Sequence, residues 1–130
     1  MITKDTDKII KVLDKKDTSM LVTRDEQGGL VSRPMTVQQT EADGDVWFFV
    51  SSDADIIDEI EAHPEVNVAY ASEEGYMSLS GAASISEDDD KKKILWYPEL
   101  KRWFGEVGPE SDHVKLIHVQ VKSSRHWEAV

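Results

Sequence analysis

The change of hydrophobic period near residue 18 is what most limits the fold open to this chain. Before it, Ile9, Ile10, Val12 and Leu13 lie on one side of a 3.6-residue spiral, which predicts an amphipathic helix over residues 5–16. From Ser19 the apolar positions recur every second residue, with turn-forming clusters between the runs. Residues 19–24 and 30–39 read as strands joined by Asp25-Glu26-Gln27-Gly28-Gly29, and Glu41-Ala42-Asp43-Gly44-Asp45 makes the next turn. Val46–Ser51 is an unbroken apolar run, as expected of a strand buried on both faces. A helix over residues 52–63 follows, capped by Ser52 or Asp53, with Ile56, Ile57 and Ile60 inward and Pro64 as its stop.

Strands over residues 66–71 and 76–85 come next, separated by a turn ending at Gly75. Ser86-Glu87-Asp88-Asp89 resembles a capping box and opens a helix over residues 87–95, where Asp88 and Asp89 precede Lys92 and Lys93 by four positions. Residues 96–112 are irregular, broken by Trp, Pro and Gly, and a last strand covers residues 114–122. Six strands with a long helical insertion after the third predict a mainly β fold with flanking helices, a small closed or partly closed antiparallel barrel. The strand count disfavours the competing ferredoxin-like sandwich.

A length of 130 residues suits one domain, 1–130. The chain has no Cys, which excludes disulfides, thiolate metal sites and thiol catalysis and leans towards a reducing compartment. The charged N-terminus and the lack of a long apolar stretch lead to the expectation of a cytoplasmic protein with no membrane partner. A net charge of −11 argues against nucleic-acid binding, which depends on neutralising phosphates.

No phosphate loop, nucleophile elbow or zinc-protease motif is present. His63, His113, His118 and His126 lack ligand spacing, and the carboxylates between Asp53 and Glu65 read as a solvated helix face, so no metal is expected. Two features remain. Alternation places Val31, Arg33, Met35 and Val37 on one face, which sets an arginine among apolar neighbours. Such a charge needs an anion: a ligand's phosphate or carboxylate, or one of the chain's own carboxylates if the side chain does not simply face outward. Pro34 marks the strand as an edge or an interruption. The second feature is aromatic: Trp96, Tyr97, Trp103 and Phe104 stand in the irregular segment and Trp127 near the end, a placement that suits core, an interface or a flat ligand.

The order of short motifs resembles the general-stress-protein group of the pyridoxamine 5'-phosphate oxidase-like family, which are split barrels that bind flavin mononucleotide (FMN). The resemblance rests on Ser32-Arg33-Pro34-Met35, Val46 to Ser52, Asp58-Glu59-Ile60, His63 to Val68, Tyr76 to Ala83, Leu95-Trp96, Trp103-Phe104 and His126-Trp127, and so covers nearly the whole chain. It implies a six-stranded antiparallel split β-barrel and a homodimer with FMN or another small-molecule ligand in interface clefts. It implies that Arg33 holds the flavin phosphate and that Met35, Thr36, Phe49, Val50 and Ser51 line the flavin or its ribityl chain. Trp103 and Trp127 would approach the ring from the partner subunit.

One segment departs from the pattern. Where the family commonly reads T-S-x-D-S-x-K, this chain has Ser51-Ser52-Asp53-Ala54-Asp55-Ile56 after Val50, so a hydroxyl and a cation are missing and carboxylates are added. By this register Ala54 and Ile56 stand where the family has the Ser and Lys that reach the phosphate, and Asp55, counted with Ile56 among the cofactor-site positions, lies between them. Each lost charge-assisted contact is worth about 1.5–3 kcal/mol. Two functions are consistent with this reading: a stress-related flavoprotein acting as an oxidoreductase, and a non-enzymatic dimeric binding module with a degenerate phosphate site.

Overall fold

The computed structural model describes residues 4–13, 18–36, 39–40, 43–73 and 75–128. In chain order the elements are α1 (Thr6–Leu13), β1 (Thr18–Arg24), β2 (Leu30–Thr36), β3 (Gln39–Thr40), β4 (Val46–Ser51) and α2 (Asp55–Ala62). They continue with β5 (Glu65–Ser72), β6 (Gly75–Ser86), α3 (Asp89–Leu95), a 3-10 turn (Pro98–Leu100), α4 (Lys101–Phe104) and β7 (Val114–Glu128). All strand pairs are antiparallel, in the order β2-β1-β5-β6-β7-β4-β3. The sheet curls until β2 at one end comes against β4 near the other, which makes a half-closed barrel. Six strands carry it, and β3 is a two-residue seventh.

Local chemistry accounts for the joints. Asp25 Oδ1 accepts from the backbone N–H groups of Gln27 (2.9 Å) and Gly29 (2.8 Å), and Gly28 takes a φ of 82°, so the β1–β2 hairpin closes at residues suited to it. The register between β6 and β7 slips at Ser80 and Gly81. A side chain at Gly81 would put its Cβ 2.1 Å from the Gln120 carbonyl oxygen, so only glycine permits this approach.

β4 is buried on both faces, as its apolar run predicts. Phe48 and Val50 enter the barrel core with Leu21, Val68, Leu79, Val119 and the isoleucines of α2. Trp47 and Phe49 point the other way, into a second core with Leu95, Leu100, Val114 and Leu116. The segment expected to be irregular forms the lid of this second core. Lys92 fastens it, with Nζ donating to the carbonyl oxygens of Val114 (3.0 Å) and Ser111 (3.3 Å) while only 2% of the residue is exposed.

Several expectations are corrected. Of the strand anticipated over residues 30–39, Leu30–Thr36 pairs with β1 as β2 and Gln39 begins β3 on β4, while Val37 lies outside the described residues. The final strand does not stop at Lys122 but pairs with β6 as far as Glu128, so Trp127 belongs to a strand opposite Tyr76 and not to a tail. α3 is capped by Asp88, whose carboxylate accepts from the N–H groups of Asp90 and Lys91; the Ser86 hydroxyl accepts instead from Asp88 N–H. α2 starts at Asp55 with Ala54 as its cap and no side-chain cap hydrogen bond, because alanine has no acceptor to offer; Asp53, one position too early, accepts from the Ser51 hydroxyl. Ile56 is only 4% exposed and packs into the barrel core.

These packings predict opposite effects at adjacent positions. Ile56→Ala should cost about 2–5 kcal/mol, and Ile56→Lys should destabilise at least as strongly. Ala54→Ser should add about 0.5–1 kcal/mol by supplying the missing cap. Urea unfolding of the three variants checks both directions.

Candidate functional site

At the C-terminal end of β4 the barrel is split. Among the described residues β3 pairs with β4 at Val46 and Trp47, and β2 comes against β4, with Pro34 and Met35 at the cleft. The gap holds a cleft of about 260 Å³. Pro34 and Met35 form one wall, Phe49, Val50 and Ser51 the floor, and Leu100, Trp103 and Phe104 the lid. The opposed orientations of Phe49 and Val50 put both cores behind the floor. Aromatic packing fixes the lid: Trp96 meets Phe49 edge-on at 5.4 Å, and Phe104 lies 6.1 Å from Trp96. Trp103 is 71% exposed at the rim.

Ser51 carries the one hydroxyl on this lining among the described residues, and it donates to Asp53 Oδ1 at 2.6 Å. No Lys, Arg or His side chain lines the cleft among the described residues. The arrangement can therefore hold a flat apolar ring and exclude water from it, but it offers no acid or base.

The anticipated site residues divide. Met35, Phe49, Val50, Ser51 and Trp103 gather at this cleft. The Thr36 side chain lies outside the described residues. Arg33 turns to the barrel side, where its Nη2 pairs with Glu59 Oε1 at 3.0 Å, and that oxygen also accepts from the Thr23 hydroxyl at 2.6 Å. Arg33 thus has one of the chain's own carboxylates beside it, and its Nη1 is buried with no partner among the described residues. Asp55 borders a separate acidic depression with Asp25, Asp58, Glu59 and His63, and Ile56 is in the core. Trp127 borders another groove, of about 390 Å³, with Met20, Tyr70 and Tyr76.

Sequence reasoning missed Leu100 and Phe104 as lining, although the apolar residues of an irregular segment were the available signal. It also missed Asp45, read as a turn residue, which is nearly buried and accepts from Lys4 Nζ (3.0 Å) and Val121 N–H (3.0 Å) while lying 2.9 Å from His118 Nε2. Burial pushes the Asp45 carboxyl up, but hydrogen bonds from Lys4, His118 and Val121 outweigh it and hold the group below its usual value. The His118 ring stacks on Trp47 at 4.1 Å, and Lys91 Nζ lies over the same indole. No group of three or more His, Asp or Glu among the described residues is placed to hold a metal ion, and no described helix is long and apolar enough to cross a membrane.

The sequence matches the family described as "Pyridoxamine 5'-phosphate oxidase like" over residues 4–130. The chain belongs to that family. General Stress Protein 26 of Bacillus anthracis superposes with a TM-score of 0.82 at 27% identity, over 93% of this chain and 92% of that one. The general stress FMN/FAD binding protein of Xanthomonas citri gives 0.79 at 29%, over 95% and 87%. Protein bli-3 of Neurospora crassa is 31% identical over 83% of this chain, which spans 57% of that relative's length.

FMN, the group the family implies, fits the residues of this chain in part. The apolar cleft suits the ring. The phosphate has no cation at the lining, because Arg33 is spent on Glu59 and the hydroxyl of Ser51 on Asp53.

The two buried charge clusters should behave as structural units. Arg33→Ala and Glu59→Ala should each lose about 1–3 kcal/mol, with the double variant losing much less than the sum. For Asp45, a folded-state carboxyl held below its unfolded value contributes stability that is complete above the unfolded pKa and is lost as pH falls through the folded one. The stability gap between the wild type and Asp45→Asn should thus be full at neutral pH and close as pH drops below about 4. Chemical denaturation across pH measures it.

Proposed function

We propose that this chain is a stress-related flavin-binding protein whose ring site is the cleft between β2, β4 and α4, completed in a homodimer. The observation that carries this reading is the aromatic-rimmed apolar cleft at the split of the barrel. Family membership and the name of the Xanthomonas citri neighbour support a flavin as occupant. At about 260 Å³ the cleft of one protomer falls below the ~300–1,000 Å³ usual for small-molecule pockets, which supports completion by a second copy. Exposed Trp103, Trp127 and Tyr76 supply the kind of aromatic surface such an interface covers. Because Trp127 borders a different groove of its own protomer, its route to a ring is across the dimer.

A bound flavin would supply the redox chemistry, while Phe49, Met35, Trp103 and Phe104 orient its ring and keep water off it. A second reading, a dimeric binding module without catalysis, is favoured by the withdrawal of Arg33 to Glu59 and by the absence of an acid or base on the lining.

Flavin fluorescence quenching on titration should show saturable binding, with Trp103→Ala about three- to tenfold weaker. Sedimentation should give a dimer. Anaerobic bleaching of the bound flavin by a nicotinamide donor selects the oxidoreductase, and no bleaching selects the binding module. A monomer that leaves flavin fluorescence unchanged would remove the proposal.

A further inference from the structure

We infer that the site selects flavins without a phosphate, riboflavin over FMN, and that Glu59 and Asp53 set this preference. This rests on the ring-binding reading above and adds a ligand class to it. A ring seated on Phe49 and Val50 must send its polar tail out where the lining turns polar, and Ser51 supplies the one hydroxyl there among the described residues. At that exit the Ser51 proton is already donated to Asp53, so the tail meets a carboxylate instead of a free hydroxyl. The neighbouring stretch continues with Asp55 and Asp58 in the first turn of α2, where negative charge already occupies the end of the helix that favours anions.

The nearest candidate cation in sequence is Arg33, adjacent to Pro34 of the cleft wall. Glu59 takes one arm of its guanidinium, and Thr23 holds Glu59 in place through the same oxygen. Both partners are largely buried, with side chains 24% and 13% exposed, so the pair is not readily opened by solvent. Lys101 and Arg102 lie between Leu100 and Trp103 of the lid but are exposed and off the lining. A phosphate ester carries a charge of about −1.5 to −2 at neutral pH and would meet the Asp53 carboxylate at the Ser51 exit, while the nearby Arg33 is held by Glu59. A neutral ribityl hydroxyl, by contrast, can donate to Asp53 and gain from the same charge.

Titration of the wild type with riboflavin and with FMN, at low salt and in high salt, tests this directly. Riboflavin should bind at least about tenfold more tightly at low salt, and the gap should narrow in high salt as the repulsion is screened. Glu59→Gln retains an acceptor for Thr23 but frees Arg33, and should tighten FMN about tenfold while leaving riboflavin within about twofold. Asp53→Asn, at an exposed position, should move FMN in the same direction and remains informative if Glu59→Gln unfolds in a parallel thermal melt. Equal affinities, or tighter FMN, would overturn the inference and assign the phosphate to Lys101, Arg102 or the partner subunit. Failure of both ligands to bind would overturn the ring site itself, which is a distinct result.

Discussion

Everything in this fold hangs on the burial of β4 from both sides. Its alternate residues serve different cores: Phe48 and Val50 close the barrel, while Trp47 and Phe49 anchor the layer of α3, the 3-10 turn and α4. A strand with one solvated face could not do this, since the second layer would have nothing apolar to bind. Burying a side chain of this size contributes roughly 1.5–3 kcal/mol, so each core gains a substantial share from this one strand. The cleft follows from the same fact. At the C-terminal end of a doubly buried strand, Phe49 and Val50 leave an apolar floor for it.

Charge is arranged around that apolar frame with little slack. In a chain of net charge −11, Lys92 meets two carbonyl oxygens and Asp89, and Arg33 meets Glu59 through Nη2 while its Nη1 is buried without a partner among the described residues. The buried carboxylate of Asp45 ties the N-terminal segment to β7 through Lys4, His118 and the backbone of Val121. A buried ion pair is a specificity device as much as a stabilising one, because removing either partner strands the other in a poor solvent. Arg33 shows the functional side of this. Once committed to an internal carboxylate, it is costly to recruit for a ligand.

Much of this was legible beforehand because periodicity reports burial directly. The barrel strands, the inward isoleucines of α2 and the double burial of Val46–Ser51 all follow from which residues are apolar and how they are spaced. The extension of β7 to Glu128 did not, since residues 123–128 carry no alternation and are held by backbone pairing with β6. The cap of α2 was misread as well: Ser52 and Asp53 have the right chemistry, but the cap position falls on Ala54.

For the site, the sequence by itself determined an arginine on an apolar strand face, the aromatic residues in the connecting segment, and the absence of a second cation where Ile56 stands. It also determined that the chain is acidic there. Which anion Arg33 meets was decided only in three dimensions, because Glu59 lies 26 positions away and is brought to it by α2 packing on β1. The same holds for the cleft: Pro34, Phe49 and Phe104 are far apart in the chain and become neighbours only through sheet curvature and the lid over β4. Local sequence fixes the period and the chemistry of each segment, but the partner of a buried charge and the wall of a cleft are properties of long-range packing.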